Sequence, residues 1–340
     1  MPEKDTDMNT SGGSRGDALH AASLRGRIEL VKLLLEEGVD INEQGGRYGN
    51  ALQAASVRGH TEMVKLLLEK GANINAPGGA YGNVLQAASF GGHIQIVRLL
   101  LDKDANINAE GGRYGSALQA ASSGGHTEIV KLLLEKGANV DTDGGEYGNA
   151  LQAASFTGVM EIVELLLEKD ANIDADGGEY GNALQAASFR GVPEIVRLLL
   201  DKDANVNDQG GKYGNALQAA SSEGHREIAK LLLEKGANIN ADGGKYGNAL
   251  QAASFRGDKM IVEMLLERGA NIKAQGGAYG NALQAASFRG LPEIVRLLLD
   301  KDANVNDQGG RHGNALQAAS SEGHREIVKL LLEEGADVNA

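Results

Sequence analysis

Two kinds of apolar run alternate along the chain. One is slim, as in ALQAAS at Ala51–Ser56; the other is broad, as in MVKLLL at Met63–Leu68. Asn50 stands just before the slim run, where its side-chain oxygen can accept a backbone N–H one turn in, and Gln53 three residues later can reach back. That capping-box pattern predicts a short helix with little side-chain bulk, suited to close packing on its neighbours and broken at Gly59. A second helix is predicted from about Thr61 to Lys70. Pro193 and Pro292 occupy the Thr61 position in later copies, which marks it as a first turn, where a missing N–H costs nothing. Met63, Val64, Leu66, Leu67 and Leu68 form an apolar face too wide for one contact, while Glu62, Lys65 and Glu69 line the wet side. Such a helix is expected to lie sandwiched between copies of itself. Gly71 is placed to end it in a left-handed conformation, and ANINAPGG then leads to a double glycine suited to a tight hairpin turn.

The pattern has a fixed period. All eight tyrosines, Tyr48, Tyr81, Tyr114, Tyr147, Tyr180, Tyr213, Tyr246 and Tyr279, lie 33 residues apart, and one further step reaches His312 and one step back reaches Arg15. Ten units follow, starting near residues 15, 48, 81, 114, 147, 180, 213, 246, 279 and 312 and covering 15–340 without insertion or deletion. Residues 1–14 read as a disordered N-terminal tail. A strict period of this length predicts one supersecondary unit stacked linearly, each copy burying its apolar face on its neighbours. Asp104, Asp170, Asp203 and Asp302 stand where other units carry the helix-ending glycine, a place aspartate tolerates better than most residues.

A helix, turn, helix and hairpin in 33 residues, with GHTEMVKLLLEKGANINA at Gly59–Ala76, resembles an ankyrin repeat. The resemblance implies an all-α solenoid of antiparallel helix pairs with β-hairpin loops, and a concave surface that binds other proteins. The family's TPLH is NALQ here, SALQ at Ser116–Gln119 and DALH at Asp17–His20. Capping is thereby kept, and the bonds that the family's histidine makes between units must be made by glutamine or lost. The GGxYGNALQAAS form is similar to arrays of filamentous fungi, often fused to nucleotide-binding oligomerisation modules. A second period overlies the first, since residues 189–238 recur almost verbatim at 288–337, an offset of three units. Duplication of a three-unit block would present nearly the same surface twice, and avidity for a repetitive partner could follow.

Charge and composition narrow the chemistry. With 46 acidic and 33 basic side chains the formal net charge is -13, which repels phosphate backbones and anionic lipid, so neither nucleic acid nor membrane is expected as a direct partner. Without cysteine there is no disulfide framework, thiol nucleophile or thiolate zinc site. The opening MPEKDTDMNTSGGS has no apolar signal core, and no stretch approaches the roughly 18 apolar residues of a membrane span. An intracellular protein, cytoplasmic or nuclear, is the expectation. His60, His93, His126, His225 and His324 sit at the turn between helices with no recurring acidic or histidine partner, so they read as structural rather than metal-binding or catalytic. GGKYG at Gly210–Gly214 lacks the earlier glycine and following Ser or Thr of a phosphate loop. No residue set breaks the repeat to make a unique site, so no enzyme, catalytic residue, metal or cofactor is expected.

Variation is concentrated just before the turn glycine. All five phenylalanines, Phe90, Phe156, Phe189, Phe255 and Phe288, lie there, and the next position is arginine in five units, Arg25, Arg58, Arg190, Arg256 and Arg289, of which the last four are the binding candidates. By resemblance these residues face the concave groove, as does the residue after the double glycine, and aromatics beside arginine suit interface anchors. The competing reading is that phenylalanine fills space that serine leaves to water. Tyr147, Tyr180 and Tyr213 carry the same two readings: a ladder covering the neighbouring hairpin and donating hydroxyls along the stack, or an aromatic stripe for a long partner. The expected function is a non-enzymatic scaffold binding a protein or peptide through the groove and hairpin tips. The alternative is a regulatory protein, such as a transcription coregulator or the sensor arm of an NLR-like signalling system. At the C-terminal end, Ile327, Val328 and Leu331 are expected to lack a polar cap, favouring fraying or end-to-end association.

Overall fold

The structure, a computed structural model, describes residues 15–338; the tail expected at 1–14 lies outside them. The described residues form twenty α-helices in ten successive pairs, a slim helix then a broad one. They divide into two compact units, one ending at Gly145 with four pairs and one beginning at Glu146 with six.

In the first unit the slim helices Ala51–Val57, Val84–Phe90 and Ala117–Gly124 pack on one another more closely than the broad helices Thr61–Glu69, Ile94–Leu101 and Thr127–Glu135 do. The cause is side-chain size: Ala54, Ala55, Ala88, Ala120 and Ala121 are fully buried and leave nothing to hold the backbones apart. On the broad helix, Met63, Val64 and Leu67 are buried while Glu62, Lys65 and Glu69 face water, as the pattern predicts.

Each slim helix from Ala51–Val57 onward begins in a full capping box. Asn50 Oδ1 accepts from Gln53 N at 2.9 Å, and Gln53 Oε1 accepts from Asn50 N at 2.7 Å. Gln53 Nε2 then donates to Ala76 O at 3.0 Å and to Gly82 O at 2.9 Å, both on the following hairpin. One amide thus closes its own helix and ties down the next repeat, so glutamine makes the bonds between units that the family's histidine would have made. The second unit repeats the arrangement, with Gln218 Nε2 on Ala241 O and Gly247 O at 2.8 and 2.6 Å.

The turn histidines make a second tie. His60, His93 and His126 place Nε2 3.1, 3.0 and 2.8 Å from Leu24 O, Val57 O and Phe90 O, at the end of the preceding slim helix. In the second unit His225 and His324 do the same to Phe189 O and Phe288 O. A third tie runs through the ANIN loops, where Asn42 Oδ1 accepts from Asn73 N at 2.8 Å and Asn75 Oδ1 from Asn106 N at 2.9 Å.

The hairpins bridge at Gly45–Gly49, Gly78–Gly82 and Gly111–Gly115 in the first unit. Successive tips are linked by Ala80 N to Arg47 O at 2.8 Å and Arg113 N to Ala80 O at 2.7 Å. A methyl group on Gly79 would lie 2.5 Å from Gly49 N and from the Tyr48 carbonyl carbon. The double glycine is therefore set by backbone meeting backbone between hairpins as well as by its positive φ. The aspartates that replace the helix-ending glycine are left-handed, with φ of 59, 60, 65 and 62° at Asp104, Asp170, Asp203 and Asp302.

One expectation is corrected at the C-terminal end. Ile327 and Leu331 are 1% and 0% exposed, because they face inward onto the preceding pair rather than outward, and Val328 is half-buried. The exposed apolar side chain of that helix is Leu332.

Candidate protein-binding surface

The hairpin delivers each tyrosine beside the start of a slim helix, and the two turns of that helix carry the phenylalanine back beside it. Each phenylalanine then lies between its own tyrosine and the next ring along, which for Phe288 is His312. In the first unit, Phe90 meets Tyr81 at 5.3 Å and Tyr114 at 4.4 Å between ring centroids. Tyr48, Tyr81 and Tyr114 themselves stack at 5.8 and 5.9 Å, and His20 continues the row at 6.0 Å from Tyr48. Arg58 lies over the Tyr48 ring at 5.8 Å and reaches its hydroxyl at 3.5 Å.

The second unit contains two five-ring groups. In one, Phe156 sits between Tyr147 and Tyr180 at 5.1 and 4.5 Å, and Phe189 between Tyr180 and Tyr213 at 5.0 and 4.4 Å. In the other, Phe255 sits between Tyr246 and Tyr279 at 5.1 and 4.4 Å, and Phe288 between Tyr279 and His312 at 5.2 and 4.5 Å. Ser222 stands where a phenylalanine would join the groups; its hydroxyl turns back to Ala219 O at 2.9 Å, and among the described residues no ring contact links Tyr213 to Tyr246.

Cations edge both groups. Arg190 lies over Phe156 at 6.0 Å, Arg289 over Phe255 at 4.9 Å, Lys212 over Tyr213 at 5.6 Å and Lys245 over Tyr246 at 5.1 Å. Arg289 Nε also donates to Phe255 O at 3.3 Å. Burial pushes the hydroxyls of Tyr180, Tyr213 and Tyr246 above the ordinary tyrosine range, with Glu179 adding to the effect at Tyr180 and Glu223 at Tyr246. Lys212 is held up chiefly by its hydrogen bond to Glu179 Oε1 at 2.9 Å. These groups are thus phenols and cations through the neutral range, fitted to contact and hydrogen bonding.

The residues singled out from sequence are therefore brought together in three groups: Arg58 and Phe90 in the first unit, then the two ring groups of the second. The phenylalanines are half-buried wedges, whereas Arg58, Arg190, Arg256 and Arg289 are exposed. Space filling by phenylalanine is thus seen directly, and the freely accessible chemistry lies on the arginines and ring edges. Tyr246, Tyr279 and His312 were not among the candidates, although the 33-residue period carries the same ring to the same place. Among the described residues no cluster of three or more His, Asp or Glu could hold a metal ion, and no helix is long and apolar enough to cross a membrane.

The family model described as ankyrin repeats (3 copies) matches residues 2–78, 84–177, 151–243, 184–276 and 249–340. Among solved structures, the chain is similar to the crystal structure of the human ASB11 ankyrin repeat domain, at 28% identity over 64% of this chain and 96% of that one, with a TM-score of 0.53. No curated protein matches the chain.

Proposed function

Because the chain belongs to the ankyrin repeat family, whose repeats mediate protein–protein interaction, we propose that it is a non-enzymatic scaffold binding a protein or peptide across its ring groups and hairpin tips. The observation that carries this reading is the pairing of ring columns, half-buried apart from the buried Tyr246, with exposed arginines along one face of the second unit. Preformed rings offer contact area without ordering cost, and guanidinium groups add directed hydrogen bonds, the combination found in binding hot spots.

The test uses tagged full-length chain as bait in lysate of its own cell. Arg190→Ser and Arg289→Ser remove exposed groups, whereas Phe189→Ala and Phe288→Ala also loosen the ring column. Partners held by this face are expected to be lost with the arginine variants at unchanged helical content. Retention of every partner by all four variants would sink the assignment.

A further inference from the structure

The two ring groups of the second unit come from nearly identical sequence only from Phe189 and Phe288 onward, and their charges differ before that. Around the first, Lys212 is bonded to Glu179, and Tyr180 feels both Glu179 and Glu146. Around the second stand Lys245, Arg256, Arg289 and Arg311, none of which has an ion-pair partner among the described residues. Lys245 lies over Tyr246, Arg289 over Phe255, and both Arg256 and Arg289 act on the Tyr246 hydroxyl. Arg311 joins the same hairpin ladder through its backbone N on Ala278 O, whose own N is on Lys245 O. Four cations without an ion-pair partner on one face are notable in a chain of net charge -13.

The spacing also carries information. Tyr246, Tyr279 and His312 follow one another at 6.2 and 6.5 Å. Tyr246 is buried at 8% exposure, so the rings open to a partner are Tyr279 and His312; alternate side chains of an extended peptide recur about every 6.6 Å and keep step with those two. Carboxylates bound the patch: Glu223 beside Tyr246 at one end, and Glu322 in the equivalent place three repeats on. A long polyanion would run onto those carboxylates, whereas a short acidic segment would end before them.

We infer that the face built on Tyr246, Phe255, Tyr279, Phe288 and His312 takes an extended segment of a partner protein with carboxylates at alternate positions. This rests on the scaffold reading above and fixes the partner's chemistry at one of its two ring groups. Charge complementarity sets the occupant, and the bounded length of the patch disfavours nucleic acid.

The test is fluorescence anisotropy on the full chain with a labelled octapeptide of alternating Glu and Thr. The same peptide with Lys for Glu and a short oligodeoxythymidine serve as alternative probes. The acidic peptide is expected to bind, and Arg256→Gln with Arg289→Gln to weaken it by about tenfold or more. Arg190→Gln, in the first ring group, is expected to change its affinity by less than about twofold. Both altered arginines are exposed, and unchanged circular dichroism would confirm that the fold is kept. Equal binding of acidic and basic peptides, indifference to the double substitution, or tighter binding of the oligonucleotide would each overturn the inference. If cellular partners are lost with Arg289→Ser while the acidic peptide does not bind, the scaffold reading stands and the acidic assignment falls.

Discussion

At the scale of single residues, the repeat is held by side chains that do two things at once. Gln53 completes a cap and ties the next hairpin, so deleting its amide would orphan groups in two repeats. Beside this economy stands an unexplained cost: the hydroxyls of Ser56, Ser89, Ser155 and Ser188 are buried without a hydrogen-bond partner among the described residues, and nothing in the structure accounts for them. Burying a lone hydroxyl opposes folding, and alanine is also the better helix former. Ser188→Ala is therefore expected to stabilise the second unit by about 1 kcal/mol, read as a raised midpoint in urea. A second site has slack of the same size. Asp104 holds φ at 59° where Gly71 and Gly137 stand at 89 and 84° without a side chain. Asp104→Gly is expected to add about 0.5–1 kcal/mol, net of the entropy that glycine gains in the unfolded chain; an unchanged or lower melting temperature would contradict the left-handed assignment.

At the scale of helices and turns, one turn histidine, His93, links stability to pH. Burial holds His93 below the ordinary histidine value despite its bond to Val57 O, with His126 and His60 lowering it further. Protonation therefore favours the unfolded chain, which binds the proton more readily. The contribution to stability is complete above the unfolded value of about 6.5 and is lost as pH falls below it toward the folded one. Lowering the pH from 7.5 to 5.5 is thus expected to reduce the melting temperature, and His93→Val to shrink that drop while costing the carbonyl bond at pH 7.5. Valine already occupies this position at Val159 and Val192. An identical drop in the variant would assign the acid sensitivity elsewhere. Helices, caps and left-handed ends were legible in the sequence because each follows from residues within one turn: Asn50 and Gln53, Pro193, Asp104. The wedging of Phe90 between Tyr81 and Tyr114 was not, since those contacts span 9 and 24 positions and depend on how far apart neighbouring slim helices sit. The Asn42–Asn73 tie was equally hidden, though ANIN recurs from repeat to repeat, because only the fold says which loops face each other. Ile327 and Leu331 were misjudged for a related reason: their sequence positions do not say which side of the helix meets the preceding pair.

At the scale of the molecule, the three-repeat period has a consequence inside the second unit. Residues 189–238 and 288–337 are nearly the same sequence, with the Arg197–Glu227 ion pair reappearing as Arg296–Glu326, although Gln317 and Ser320 are exposed where Gln218 and Ser221 are buried. Each repeat contacts only its neighbours, so stability is close to a sum of repeat and interface contributions, and whole repeats can be removed if every new interface matches an old one. Deleting residues 189–287 joins Ser188 to Phe288 and restores ALQAASFR, with Phe288 placed between Tyr180 and His312 where Phe189 had stood between Tyr180 and Tyr213. The shortened chain is expected to keep its helical signal per residue and to unfold cooperatively with a smaller denaturant slope, in line with the lost buried surface. It would also lose one ring group, so a repetitive partner that had engaged two would bind with the weaker, single-site affinity. A deletion a few residues longer breaks the 33-residue register and is expected to unfold the residues beyond the junction. Equal tolerance of both deletions in far-ultraviolet circular dichroism would mean that the repeats do not depend on matched interfaces.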